Sequence, residues 1–513
     1  MIRLSVRAVA FGIASLLAST ASAEPTSSPP ISSDPETVMA NGRGYVVTPK
    51  EAFATPHATI SQTLYLERCV GGCMIKKGTM NDARTSTSTI PSQGGLCGDP
   101  TGQGCRVSEF VNKDNMDGAA ADEEWNAVVQ CVKEVYSPYQ VTVTDVKPAP
   151  GVSYHLALVA GTPPEVGLGN DILGIAPLSG DCSAIDNVIS FSFANAHSRL
   201  DPQRVYNLCW TAAQESAHAF GLDHEFSYQD GRSACNDPMT YRTDCGGQRF
   251  FRNEVANCGE NEVRPCRCGA NQNSHLKIQN VFGAGTSIIP NPTITVTTPQ
   301  SGGTLGAIVA GNAGSKRGVA KVELLLNGFK WGTPAKGALF GANGQPNPSA
   351  YSVQVPADVP SSVIDVVLRA YDDLGNYTDS APVRVTKGAP CTSDASCAAG
   401  QTCDGEGRCL WSEPVGQIGD DCTYPQFCVS GQCNGTADKQ ICTQDCIPGV
   451  SDSCPAGLDL TCVESAPGRG ICFPVEESGG CCSVGGTTSS MPWIQIFLGL
   501  GLFGFVVVRR GRR

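Results

Sequence analysis

The stretch Gln214-Glu215-Ser216-Ala217-His218-Ala219-Phe220-Gly221-Leu222-Asp223-His224 decides how this chain is read. Positions 214 and 218 stand one helical turn apart, so on a helix both side chains leave the same face and can grip one ion. Glu215 adjoins the first of them and points to the side where a water on that ion would sit. Gly221 lets the chain leave the helix in a conformation that a residue with a Cβ resists. His224 can then swing back as a third ligand, and three protein ligands leave one position open, as a catalytic metal requires. A lone histidine on an amphipathic helix is ordinarily a satisfied core residue. Two at this interval, with a glutamate and a glycine in place, point to chemistry instead.

The helix under this stretch announces itself upstream. Asp201-Pro202 supplies an N-cap followed by proline at the first helical position. Val205, Leu208, Cys209 and Ala212 then carry it to about Phe220. Earlier, Trp125, Val128, Val129, Val132 and Val135 recur at three-to-four spacing and predict a helix within Ala119 to Tyr136. Gln140 to Val146, Tyr154 to Val159 and Val188 to Phe193 read as strands.

Downstream, Asp237-Pro238-Met239-Thr240-Tyr241 completes a pattern. Together these residues resemble the metzincin zinc metallopeptidases, whose signature is H-E-x-x-H-x-x-G-x-x-H followed by a methionine turn. Every fixed position but the first is matched, and Tyr241 follows Met239 by two residues, as in the astacin and serralysin branches. The resemblance covers Tyr45 to Ile289 and implies an α/β metzincin-like catalytic domain there, its N-terminal part a candidate pro-segment. It implies Zn2+ as cofactor, with His218 and His224 as the second and third ligands. Glu215 would be the general base for a zinc-activated water, Met239 the apolar floor beneath the metal, and Tyr241 an extra ligand or a donor to the oxyanion. Gln214 stands where the family has its first histidine, and a neutral amide oxygen is a weaker zinc ligand. Three outcomes stay open: Gln214 binds through its oxygen; Tyr241, His155, His197 or His275 takes the place; or the site is empty.

The termini set an address. Arg3 and Arg7, the apolar run Ala8 to Leu17 and the small residues Ala21-Ser22-Ala23 read as a signal peptide over residues 1–23. All 26 cysteines lie beyond it, twelve from Cys69 to Cys268, twelve from Cys391 to Cys472, and the pair Cys481-Cys482. Even groups suit disulfides made in an oxidising compartment. A net charge of −12 leaves no basic footprint for nucleic acid. Arg68-Cys69-Val70-Gly71-Gly72-Cys73 faintly resembles the matrixin cysteine switch, in which a pro-segment thiol caps the zinc; structural pairing of both cysteines is the competing reading.

Residues 24–44 read as a linker. From 290 to 387 short alternating runs separated by Gly, Pro, Asn and Asp predict an all-β sandwich; Val322 to Gly328 and Ala370 to Asn376 resemble bacterial Ig-like domains. Residues 388–474 hold too few long apolar side chains for a core and rely on disulfides. In 475–513 a Gly-rich linker with Cys481 and Cys482, a short apolar span from Trp493 to Val508 and four arginines follow in order. That order resembles the MYXO-CTERM sorting tail, which implies a transient membrane anchor through this helix and a sorting protease acting near the cysteines. A permanent anchor is the simpler alternative.

The expected protein is thus exported, to the cell surface, the outer envelope or the medium. The leading reading is a zinc endopeptidase acting on protein or peptide substrates. A catalytically inactive surface binding or adhesion protein is the alternative that Gln214 favours.

Overall fold

A computed structural model describes residues 36–49, 60–92, 104–337, 349–398, 400–435, 439–447, 453–455, 457–466 and 469–474. The signal peptide, most of the expected linker and the tail with Cys481 and Cys482 lie outside the described residues. Among the described residues, no helix is long and apolar enough to cross a membrane.

The chain opens with a hairpin, β1 (Thr37–Ala40) and β2 (Arg43–Thr48). Asn41 and Gly42 make its turn at φ of 47° and 77°, the left-handed conformations that a two-residue Asn-Gly turn requires. The boundary expected at Tyr45 falls inside β2. Then come β3 (Thr63–Glu67), β4 (Cys73–Lys77), β5 (Thr87–Ser88) and β6 (Cys105–Val107), of which the last three form a small sheet. After helix α1 (Asp122–Tyr136) follow β7 (Thr142–Thr144), β8 (His155–Val159), β9 (Gly174–Ser179), β10 (Ile189–Ser192) and helix α2 (Arg204–His218).

The largest sheet has the order β1-β2-β9-β10-β8-β3-β7. β9 runs antiparallel to β10, whereas β2 lies parallel to β9, and β10, β8, β3 and β7 are parallel neighbours. Strand alternation sends Leu64, Leu66, Ala157 and Val159 to one face, where α1 and α2 cover them with Val128, Val132, Leu208, Ala213 and Ala217. Tyr65, Leu156, Leu158 and Phe191 point the other way, onto Ile75 and Val107 of the small sheet. Cys131–Cys209 staples α1 to α2.

The expected α/β metzincin-like fold is corrected by this architecture. Strand makes up 35 % and helix 15 % of the chain, and the strands are spread over many small sheets. An α/β layer needs a crossover helix between parallel strands. Here α1 lies in the connection from β3 to its parallel neighbour β7, but no α-helix lies between β8 and its parallel neighbour β10, and beyond His224 the chain runs through loops held by Cys235–Cys245, Cys258–Cys266 and Cys182–Cys268. Only α3 (Ser274–Phe282) interrupts them as a helix, beside the short pair β11 (Glu225–Tyr228) and β12 (Ala256–Cys258).

Residues 293–387 form two antiparallel sheets around one core. The first joins β13 (Thr293–Thr298), β14 (Ile308–Gly314) and β17 (Ser349–Gln354). The second joins β15 (Lys321–Leu326), β16 (Phe329–Lys336), β18 (Ser362–Tyr371), β19 (Tyr377–Asp379) and β20 (Val383–Lys387). Val309, Val322, Leu324, Val353, Ile364, Val366 and Leu368 fill the space between them. Beyond, the cysteines interlace three times over, first to third and second to fourth: Cys391–Cys403 with Cys397–Cys409, Cys422–Cys433 with Cys428–Cys442, and Cys446–Cys462 with Cys454–Cys472. Trp411 leaves the first module and roots itself in the sandwich core against Trp331.

A buried charge cluster joins the sandwich to the preceding region. Asp373 accepts from Arg317 at 2.8 and 2.7 Å and lies 3.3 Å from Arg252, all three nearly solvent-free. Arg252 donates to the Arg317 carbonyl at 2.6 Å and Arg317 to the Phe251 carbonyl at 3.0 Å. Burial opposes the charge of Asp373, but the two guanidiniums hold its carboxyl down at about 2. A carboxyl depressed in this way stabilises fully above its unfolded value near 4 and loses that contribution as pH falls through 2. Asp373→Asn should therefore cost on the order of 3–5 kcal/mol at neutral pH, because it strands buried positive charge. In thermal melts the gap between variant and wild type should close between pH 4 and 2.

Candidate functional site

Helix α2 delivers the site because its C-terminal half is wholly buried. Ser216 bonds back to the Ala212 carbonyl at 2.7 Å and meets the Tyr136 hydroxyl at 2.7 Å, fixing the rotation of the last turn. Gln203 is the N-cap, and Pro202 stands in the turn before it, not at the first helical position. Asp201 still tethers the start, accepting from the Gln203 amide at 2.8 Å and the Asn207 side chain at 2.7 Å. The helix ends at His218, and the turn after it passes through Gly221, whose φ is 86° and whose missing Cβ would fall 2.1 Å from the Cys182 carbonyl oxygen. The chain there turns back and sets His224 against His218.

The protons of the two imidazoles can be assigned from their partners. His218 Nδ1 lies 2.8 Å from the Leu222 carbonyl oxygen, which only accepts, so Nδ1 donates and Nε2 presents a lone pair. His224 Nδ1 lies 3.0 Å from Glu260. Burial works against the Glu260 charge, but bonds from His224 and Arg264 hold its carboxyl down at about 2, so it too only accepts. Burial depresses both histidines and keeps them neutral. Their Nε2 atoms consequently face each other, lone pair to lone pair, 3.0 Å apart. The Tyr241 hydroxyl has one proton and two acceptors within reach, the Arg43 carbonyl oxygen at 2.7 Å and His224 Nε2 at 2.5 Å. Its oxygen keeps lone pairs of its own beside the two imidazoles.

Beside them, both amide atoms of Gln214 and both carboxylate oxygens of Glu215 are buried without a hydrogen-bond partner. An unsatisfied buried polar atom costs about 1–3 kcal/mol, and four adjoining ones mark a place prepared for a guest. Two neutral imidazole nitrogens, an amide oxygen and a phenol oxygen form a donor set that fits a divalent cation of zinc's preferences. Burial pushes the Glu215 carboxyl well above the ordinary carboxylate range, while the Arg43 guanidinium and the nearby Gly44 N–H pull it back. Gly174 of β9 permits the close fit: a Cβ there would stand 2.6 Å from Glu215 Oε1. Met239 is buried in the core with Ala217, Phe220 and Leu222, and its turn is anchored by Asp237, which accepts from the Met239 amide at 2.8 Å.

The other histidines among the described residues make contacts elsewhere. His155 Nε2 meets the Ser61 carbonyl at 3.0 Å and Asp186 at 3.6 Å, His197 meets Thr211 at 3.3 Å, and His275 meets the Tyr139 hydroxyl at 2.9 Å. Tyr241 is the side chain in contact with His224, and Gln214 stands one turn before His218 on α2. The thiol switch is corrected: Cys69 is bonded to Cys73 and caps nothing.

Several site residues carry no sequence signal of their own. Glu260 orients His224 from inside the loop closed by Cys258–Cys266. Arg264 bridges Glu260 and Asp223, donating to both Asp223 oxygens at 2.6 and 2.8 Å. Asp223 in turn accepts the Tyr45 hydroxyl at 2.9 Å. The Tyr45 ring closes the site, 4.9 Å from the His218 ring and 4.8 Å from that of His224. The Asn41-Gly42 pair was the one readable hint that this segment is a hairpin.

No family model matches the chain, and no curated protein matches it. Among solved structures, one of the Clostridium thermocellum CbhA fibronectin(III)-like modules is similar over 19 % of this chain and 96 % of that chain, at 18 % identity and a TM-score of 0.14.

If Glu260 sets the tautomer and aim of His224, Glu260→Gln should weaken divalent-metal affinity by about 10–100-fold. Competition against a chromophoric chelator would measure this, and the thermal midpoint of the metal-free protein should move little.

Proposed function

We propose that this protein is an exported zinc-dependent endopeptidase whose centre is His218, His224 and Gln214, with Glu215 as general base. The observation that carries this reading is the set of facing lone pairs and partnerless buried oxygens at the end of α2. A merely structural core has no need for that arrangement, and a bound cation would satisfy it. Zinc held there would supply Lewis acidity toward a substrate carbonyl and a nucleophilic water at neutral pH.

The chain's own residues divide the remaining work. His218 and His224 would hold the ion through Nε2, their rings aimed by the Leu222 carbonyl and by Glu260. Gln214 would complete the set through its amide oxygen, which lies on the same helical face one turn earlier. Glu215, with its carboxyl raised by burial above the ordinary carboxylate range, would take a proton from the attacking water and pass it to the leaving amide nitrogen. Tyr241, already a donor to a backbone carbonyl, would give the same bond to a substrate carbonyl oxygen as charge develops on it. The sandwich and cysteine modules would present this centre outside the cell, consistent with the disulfides throughout.

Metal analysis of the purified chain should give about one zinc per molecule, and His218→Ala should abolish it. Glu215→Ala should keep the zinc and lose quenched-peptide cleavage by at least a hundredfold. Absence of zinc in the wild type, with zinc recovered by Gln214→His, would leave a binding protein without catalysis.

A further inference from the structure

Every group of the proposed centre is solvent-free: Gln214, Glu215, His218 and His224 each have no exposure, and Tyr241 has 1 %. An endopeptidase must admit several residues of extended chain to these atoms. What covers them is the N-terminal hairpin. β2 pairs in parallel along β9, from Tyr45 opposite Ala176 to Thr48 opposite Ser179, and the other edge of β9 is taken by β10. β2 thus adds a strand to the sheet edge beside α2, as extended peptides bind proteins that present such an edge.

The backbone of the hairpin takes up the groups the reaction would use. The Arg43 carbonyl accepts from the Tyr241 hydroxyl at 2.7 Å, and the Gly44 N–H faces the Glu215 carboxyl without completing a bond. Asn41 donates to the Tyr241 carbonyl at 3.0 Å. Arg43 fills the space next door, donating to Thr211 at 2.8 Å with its guanidinium 3.7 Å from the centre of the Trp210 ring. Tyr45 lies on both imidazoles.

The hairpin is also a separable part. Its strands pair with each other, and it is held to the rest by the ion pair of Glu36 with Arg267 at 2.7 Å, by the side chains of Asn41, Arg43 and Tyr45, by the Gly42 carbonyl, and by the edge of β9. Met39 and Val46 only flank the core on that face. If it left, β9 would remain bonded to β10 and α2 to α1.

We infer that the hairpin Thr37–Thr48 is the resident occupant of the site, filling the strand position along β9 that a polypeptide substrate would take and holding the protein latent until it is displaced. The inference rests on the endopeptidase reading for the word substrate, but the sealing of the two histidines by the hairpin can be tested without it.

Diethyl pyrocarbonate labelling of the metal-free full-length chain, located by mass spectrometry, provides that test. His218 and His224 should be unreactive in the wild type. Gly42→Val places a side chain at φ 77° against the Asp171 carbonyl, and Gly44→Val puts one into the Val38 carbonyl. Both should unseat the hairpin without touching a metal-site side chain, and both should speed labelling of His218 and His224 by at least about tenfold. His155, on β8 and packed against Phe220 and Phe282, should stay protected and so report an intact core. Equal labelling in all three proteins, with His155 protected, would overturn the inference. If a variant exposes His155, hydrogen exchange of the wild type decides: amides of Tyr45 to Thr48 should exchange about tenfold or more faster than those of Ile189 to Ser192. A common rate for both would overturn it. Zinc content and peptide cleavage on the same samples separate the two ideas. Gated histidines in a protein that never binds zinc would remove the peptidase reading and leave the occupant in place. Bound zinc with freely reactive wild-type histidines would do the reverse.

Discussion

Two neutral imidazoles aim their unprotonated nitrogens at each other across 3.0 Å, and the surrounding structure exists to keep them there. In water such a pair would rotate apart or trap a solvent proton. Here neither escape is open, since each ring is pinned by its Nδ1 proton and the space is closed to solvent. The same dry setting that makes the arrangement unfavourable when empty makes it strongly receptive to positive charge. Glu215 and Gln214 share that condition, so the end of α2 is a concentrated group of electron-rich atoms shut away from solvent.

Holding that point takes constraints from several directions. The staple to α1 and the Tyr136–Ser216 contact fix the helix. The left-handed turn at Gly221 determines where His224 returns. The Cys258–Cys266 loop brings Glu260 behind it, and Arg264 prevents Glu260 and Asp223 from repelling one another. Gly174 lets the sheet edge approach Glu215 more closely than any other residue would allow. These parts come from segments far apart in sequence, so the precision is a property of the tertiary structure.

That distribution explains what could be read beforehand. The apolar recurrence through Val205, Leu208 and Ala212 marks α2, and the interval from Gln214 to His218 with Gly221 beyond it marks the metal-like face, because both are local. The fold class was not local. Reading helices and strands in alternation suggested α/β, yet no α-helix connects β8 to its parallel neighbour β10, and the strands are spread over many small sheets. Glu260 and Arg264 have no spacing rule relative to His224, so only the folded chain brings them together. The hairpin was hidden for a different reason: a Pro- and Ser-rich leader runs up to it, and the composition of residues 24–44 concealed that Asn41-Gly42 is a turn between two strands.

The cluster of Arg252, Arg317 and Asp373 bears on how such a chain can evolve. Sandwich domains are often treated as beads that recombination exchanges freely. Here the sandwich contributes Arg317 and Asp373 to a buried charge balance that the preceding region completes with Arg252. A foreign sandwich without that carboxylate would leave a guanidinium sealed in protein with nothing opposite it. Trp411, seated in the sandwich core from the first cysteine module, extends the dependence one step further. A sandwich exchanged alone would therefore break contacts on both sides of it, at Arg252 before it and at Trp411, Tyr424 and Gln426 after it.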